Sequence, residues 1–322
     1  MAARAPGYDR CMAARPSVAI DLPERSVSIS KPDKALFPSG VTKLDLATYY
    51  ATVAEAMLPH LADRPLNLQR FPDGVDRPGI FQQQAPDHFP DWIARVTTPK
   101  EGGTVDHVVA RDAATLVYLA NQAVVTPHMW LSRGDRLQRP DRMVVDLDPA
   151  GGTADDVRRA ALSFGALLRD ELGLEPFALA TGSRGFHVVV ALQRRHGFDD
   201  VRAFARDVAR VAVARDPGAL TLEQRKAKRG GRIFVDVLRN GYGHTVVAPY
   251  AVRARASAPV ATPLHWEELE DPATRPDRWS VRTLPRRLER DGDPWAAIAA
   301  SPQALGAARA RLAALLADAG LA

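Results

Sequence analysis

Cysteine is almost missing from this chain: Cys11 stands alone among 322 residues. That excludes a disulfide-stapled secreted fold and a Cys-rich zinc module. Long apolar runs are also missing, and no stretch approaches the ~18–20 residues that a membrane-spanning helix requires. The first 20 residues contain no apolar signal-peptide core, so the cytoplasm is the expected location. No internal repeat and no low-complexity linker interrupts the chain, which points to one continuous unit rather than an array. Lysine is scarce as well. Three of the few lysines, Lys31, Lys34 and Lys43, lie close together, and Lys226 and Lys228 sit in QRKAKRGGR. What is present suffices for a core: 46% of the residues are hydrophobic and 25% charged, which excludes a disordered tail. A net charge of +5 is compatible with a polyanionic partner and specifies none.

The pattern along the chain predicts an α+β protein. Val27–Ser30 reads as a strand, and Thr42 with Asp45 reads as a capping box opening a helix that ends near Leu61. Leu44, Ala47, Ala51, Ala54, Leu58 and Leu61 are the expected buried stripe of that helix. LNLQRF and GIFQQQ suggest a strand pair, and Ala113–Val125 a buried helix that PHMW interrupts. The clearest architecture lies between Asp141 and Tyr250. RMVVDLD is strand-like, and a second capping box, Thr153 with Asp156, opens a helix to about Leu172. PFALATG and GFHVVVALQ form two strands around a tight SRG turn, a helix spans about Asp200–Ala214, and RIFVDVLRN forms another strand. The order β-α-β-β-α-β is that of the split βαβ, whose helices cover one sheet face and leave the other free. Nucleotidyl-transferase palms have this shape, as do many unrelated proteins.

Carboxylates supply the chemistry. In RMVVDLD, Asp146 and Asp148 share a face with Val144, while Met143, Val145 and Leu147 point to the core. Two residues apart on a strand, their Cα atoms stand ~6.5–7 Å from each other, within reach of a pair of divalent ions. The expected strand RIFVDVL adds Asp236, on a face with Phe234 and Leu238, where an acid needs compensation of its charge. Oxygen donors without cysteine or clustered histidine favour hard cations, Mg²⁺ or Mn²⁺. ATGSRGFH places a small-residue turn, Thr181 to Gly185, between two strands, where backbone N–H groups can meet a phosphate. Arg229, Arg232 and Arg253 are candidate phosphate partners. His128, read alone beside a tryptophan, is more often a structural histidine than a functional one. A DxD enzyme acting on nucleotide-sugars and a non-catalytic end-binding module both remain compatible with these residues.

DLDP, TGSRGFH, then FVD followed by N, APY and R, together resemble the polymerase domain of bacterial ligase D, of the archaeo-eukaryotic primase superfamily. PDKALFP…TK, QRFPDG, FQQQAP, NQAVVTPH and EELEDPA…LERDGDP extend the resemblance from about Ser28 to Trp295. It implies a primase-polymerase fold, with the split βαβ catalytic sheet packed against an N-terminal α/β portion. Residues 1–16 would be a flexible arm and 17–295 one catalytic domain, with a DNA-binding portion over about 27–140 and a palm over about 141–255. Residues 296–322 would be a helical tail. By resemblance, Asp146, Asp148 and Asp236 are metal ligands for two Mn²⁺ or Mg²⁺ ions. His128, Thr181, Ser183, Arg184, Arg229 and Arg253 bind the incoming NTP or dNTP. Lys34 and Lys43 capture a 5′-phosphate at a DNA gap or break, with Arg70 and Phe81 on the template beside it. Arg184 stands where relatives often carry lysine, Thr181 where they carry serine, and Ile80 where some carry a second aromatic. The loop between Lys34 and Lys43 is one residue shorter than in some relatives. The implied activity is template-dependent extension of a primer 3′-OH in non-homologous end joining, preferring ribonucleotides. Ku and a DNA ligase are the implied partners, and the nucleoid the implied site of action. Priming independent of end joining is the alternative.

Overall fold

The computed structural model describes residues 17–321; the arm expected over 1–16 lies outside them. A hairpin of β1 (Ser17–Asp21) and β2 (Ser26–Ser30) leads to α1 (Lys43–Leu61). Thr42 closes the predicted capping box: its side chain accepts from the Asp45 N–H, and Asp45 accepts from the Thr42 N–H. The buried stripe of α1 keeps Ala47, Ala54 and Leu61 of the expected one but is rotated towards Leu46, Tyr49, Tyr50, Val53 and Met57, leaving Leu44, Ala51 and Leu58 half-buried. Aromatic bulk decides this, because each tyrosine hydroxyl finds a carbonyl in the core. Tyr50 donates to Val125 O at 2.6 Å and Tyr49 to Tyr250 O at 2.9 Å.

The first large sheet contains β3 (Leu66–Arg70), β4 (Ile80–Gln82), β5 (Arg95–Lys100), β6 (Gly103–Val108) and β7 (Val124–Trp130). The strand pair expected around LNLQRF and GIFQQQ is β3 with β4. α2 (Ala113–Asn121) stops short of Val125. Ala123 takes a left-handed turn at φ 58°, and the β-branched Val124 and Val125 then start β7, which carries PHMW inside it. The order is β13-β7-β3-β6-β5, with β13 (Thr245–Val247) arriving late from the second half of the chain.

The second sheet is built from β8 (Arg142–Pro149), α3 (Ala154–Ala166), β9 (Pro176–Ala180), β10 (Phe186–Ala191), α4 (Phe198–Arg215), β11 (Leu220–Thr221) and β12 (Ile233–Asp236). Its order is β11-β12-β8-β10-β9-β14, with β14 (Thr262–Leu264) at one edge. The central four, β12-β8-β10-β9, have the split βαβ arrangement that the element order predicted. Met143, Val145 and Leu147 are buried beneath α3 and α4. Val144, on the carboxylate face, is buried too, because that half of the face meets Met129 of β7 and Val246 and Val247 of β13. β12 is shorter than expected: it ends at Asp236, and Leu238 begins a 3-10 turn instead of continuing the strand. Asn240 explains the stop. Its buried side chain accepts from Val144 N at 2.8 Å and donates to Val144 O at 2.7 Å, replacing ladder bonds that a longer strand would make.

The chain closes with α5 (Trp266–Glu270), α6 (Leu284–Asp291) and, in the tail, a 3-10 turn and α7 (Gly306–Asp318), which packs on α4. Among the described residues no helix is long and apolar enough to cross a membrane.

Candidate active site

Register brings the three aspartates together. Asp236 of β12 lies directly opposite Asp146 of β8, and His187 of β10 lies opposite Asp146 on its other side. Directly paired residues share a face, so Asp236, Asp146 and His187 form one row across three strands. Asp148 stands one step along β8, opposite Phe234. His187 Nε2 is 3.4 Å from an Asp146 oxygen. Asp236 accepts from the Leu238 N–H at 2.8 Å and has Arg239 at 3.5 Å.

Their electrostatics differ. Burial pushes Asp146 up, but His187, Arg239 and Arg253 outweigh it and hold its carboxyl below the usual range. Burial, joined by the like charge of Asp146, pushes Asp236 above its usual range. Two facing acids of opposed tendency mark a site built for chemistry rather than for packing.

Arginines surround Asp148. Arg229 Nη1 donates to it at 3.2 Å, with the guanidinium stacked 4.2 Å over the Phe234 ring, and Arg184 approaches it at 3.7 Å. Arg229 also donates to Glu223 O and Gln224 O, tying its own loop to the site. Arg232 instead turns to the carbonyls of Arg229, Pro217 and Lys228 and has no place in the cluster.

The turn Thr181–Gly185 depends on its two glycines. Gly182 sits at φ +65°, and a Cβ there would lie 2.7 Å from Arg253 Cγ. At Gly185 a Cβ would lie 2.1 Å from Leu147 O, so β10 can start beside β8 only without a side chain there. Thr181 Oγ1 donates to Gly185 O at 2.7 Å, Arg253 Nη1 to Thr181 O at 2.7 Å, and Arg255 Nη2 to Ser183 Oγ at 2.6 Å. Burial and the neighbouring Arg255 push Arg253 down to about 10. His128 belongs to the same neighbourhood. Burial, with Arg253, Arg239 and His187 around it, holds it down to about 3, so it is neutral at physiological pH. Its Nε2 lies 3.4 Å from Gln69 Oε1, and its ring centroid 5.2 Å from that of Phe81.

A second cationic site lies at the start of α1. Lys43 is buried at the first helical position, 3.2 Å from Ser30 Oγ and 3.4 Å from Asn121 Oδ1. Burial and the charges of Lys34 and Lys31 push its amine below the usual range. A cation here also opposes the helix dipole. Lys34 donates to Pro72 O and has Asp73 at 3.8 Å. Between the two sites, Arg70 is spent on Gln122 O at 3.0 Å and Gln82 Oε1 at 2.8 Å, which fixes β4. β4 presents Ile80 and Phe81, 50% and 53% exposed, as bare apolar surface.

A family model described as the LigD primase-polymerase domain matches residues 42–295. The chain belongs to this family. It is 36% identical over 288 residues to the multifunctional non-homologous end joining protein LigD of Pseudomonas aeruginosa, covering 88% of this chain and 34% of that protein. With the Mycobacterium tuberculosis LigD, identity is 35% over 280 residues, covering 84% of this chain and 36% of the relative. The polymerase domain of Mycobacterium tuberculosis ligase D, solved in complex with DNA, matches with a TM-score of 0.80 and 33% identity, over 86% of this chain and 99% of that one. The chain spans about a third of the length of these curated relatives.

LigD primase-polymerase domains are metal-dependent nucleotidyltransferases, and the residues here fit a hard cation. The donors are carboxylate oxygens, and Asp236 is pushed up by burial and by the like charge of Asp146, which a bound cation would offset. Among the described residues no group of three or more His, Cys, Asp or Glu forms a ready-made metal cage. Mg²⁺ sites of nucleotide-using enzymes take one or two carboxylates and complete the shell with substrate phosphates and water.

Sequence reasoning gave no role to His187, Gln69, Arg239 or Arg255. His187 was legible inside TGSRGFH, but its pairing with Asp146 is a matter of register. Gln69 opens QRFPDG and Arg239 lies in RIFVDVLRN, but neither segment signals a role for them, and Arg255 lies in no quoted motif; only tertiary packing brings the three to the site.

Proposed function

We propose that this LigD primase-polymerase domain extends a primer 3′-hydroxyl, under template direction, at gaps and broken DNA ends in non-homologous end joining. The observation that carries this is the cross-strand row Asp236–Asp146–His187 with Asp148 beside it, ringed by arginines. The hydroxyl attacks the α-phosphate of a nucleoside triphosphate and pyrophosphate leaves. Asp146, Asp148 and Asp236 would hold two ions, Mn²⁺ in preference to Mg²⁺. When bound, such ions make the hydroxyl a stronger nucleophile and stabilise charge on the leaving oxygens.

The chain's own groups do the rest. Arg184 and Arg229, now on Asp148, would turn to an entering triphosphate, and Thr181, Ser183 and Arg253 of the neighbouring turn would bind it as well. Neutral His128 serves as a hydrogen-bonding group rather than as a charge. Exposed Phe81 stacks on a template base. Lys34 and Lys43 receive the downstream 5′-phosphate, which supplies the countercharge that a buried lysine beside two others lacks. Ribonucleotides are the preferred substrates, and Ku and a DNA ligase the partners at the break.

Primer extension on a gapped duplex tests the reading. Asp146→Ala abolishes extension and leaves DNA binding largely intact; extension at the wild-type rate in that variant would falsify the assignment.

A further inference from the structure

At the other end of β8, far from the carboxylates, lies a cavity of about 570 Å³ lined by six arginines and two aspartates. Arg142, the first residue of β8, lines it; Asp148 is six residues further, ~20 Å along the strand. The two acids are already committed. Asp141 accepts from Arg64 at 2.7 Å and from Arg133 at 2.9 Å, and Asp135 accepts from Arg194 at 2.6 Å. Three guanidinium groups are left over: Arg136 and Arg195 at the exposed mouth, and Arg142 inside. Among the described residues none of these three has a carboxylate within ion-pair distance.

Arg142 is the unusual member. It is 3% exposed, and its contacts are Met129 Sδ at 3.9 Å, His60 Nδ1 at 3.4 Å and the Trp295 ring at 5.6 Å. None of these is a carboxylate; Asp293 reaches it only through His60, whose Nε2 lies 2.8 Å from an Asp293 oxygen, and Asp141 and Asp293 act on it only as charges at a distance. A buried charge without a paired acceptor is costly, and proteins tolerate it where a ligand completes the pair. Arg194 adds a buried Nε with no hydrogen-bond partner. Apart from Gln193 the rest of the wall, with Leu192, Ile298 and Pro302, is apolar, and the volume falls in the range of small-ligand sites.

We propose that this cavity binds a phosphate-bearing anion, at a site separate from the catalytic carboxylates. Forked, planar guanidinium donors suit phosphate oxygens in bidentate pairs. The phosphate comes either from a free small molecule or from a nucleic-acid strand crossing this face.

Calorimetric titration of the full chain with inorganic pyrophosphate tests the site. EDTA is present to remove metal-dependent binding at the carboxylates, and Lys34→Ala is used in parallel to blank the cationic site of α1. Saturable binding that survives Lys34→Ala, and that weakens about tenfold or more in Arg136→Ala/Arg195→Ala, is expected. Arg142→Met abolishes it. If that core variant fails to fold, the exposed mouth pair still decides. No saturable binding, or binding unchanged in the mouth pair, overturns the proposal. Displacement of bound pyrophosphate by an oligodeoxynucleotide without terminal phosphates supports the site and assigns the strand. Displacement by adenosine 5′-monophosphate alone supports it and assigns a free ligand.

Discussion

Asp236→Asn separates a metal site from a structural acid, because the two readings predict opposite signs for stability. Asp236 and Asp146 face each other in register, which sets their Cβ atoms ~4.5–5.5 Å apart. At an effective dielectric near 20, two like charges about 5 Å apart repel by roughly 3 kcal/mol. The amide keeps an oxygen for the Leu238 N–H, so that bond survives. The contact to Arg239 is lost, but that side chain is half exposed and the pair is worth under ~1 kcal/mol. Without divalent ions, the variant therefore gains about 2–3 kcal/mol, a rise of several degrees in Tm. Thermal unfolding in EDTA measures this. Adding Mn²⁺ raises the Tm of the wild type and leaves the variant nearly unmoved, while its primer extension falls at least about 100-fold. A variant that is less stable in EDTA, or that gains as much from Mn²⁺ as the wild type, refutes the reasoning.

Other outcomes follow from the same geometry. Lys34→Ala and Lys43→Met each weaken binding to a gapped duplex about tenfold or more when the downstream strand carries a 5′-phosphate, and little when it does not; equal losses on both substrates would remove the phosphate pocket. Lys43→Met costs no stability in the free protein, since it deletes a buried amine set beside two others. Gly185→Ala forces β10 away from Leu147 O and costs about 1–3 kcal/mol in denaturant unfolding, together with activity, whereas wild-type stability would contradict the close approach. His128 is neutral in the folded chain, held down to about 3 by burial, while the unfolded chain protonates it near 6.5. Its contribution is therefore fully present above pH ~6.5 and falls as the pH drops from there towards 3, by at most about 1.4 kcal/mol per unit. His128→Gln flattens the pH dependence of unfolding in that window; an unchanged slope would show that His128 titrates normally.

Much of the palm was legible because its signals are local. The capping boxes at Thr42 and Thr153 depend on side chains reaching three residues along the chain, and both formed as read. The β-α-β-β-α-β order and the alternation in RMVVDLD likewise depend on near neighbours. Where the reading failed, a distant contact decided. Asn240 ended β12 by bonding to β8, the tyrosines of α1 turned its stripe towards carbonyls of β7 and Tyr250, and PHMW became a strand by pairing with β3.

The amino-acid order by itself determined which chemistry is available: three aspartates and a glycine turn on or beside strands, few lysines set in a cluster, and a single cysteine. Tertiary structure alone decided which of these meet. Asp236 pairs with Asp146, and His187 with the same residue, only because β12 and β10 flank β8 at that register. Cross-strand pairing depends on packing the whole sheet between its helices and the second sheet. No short window of sequence contains that free energy.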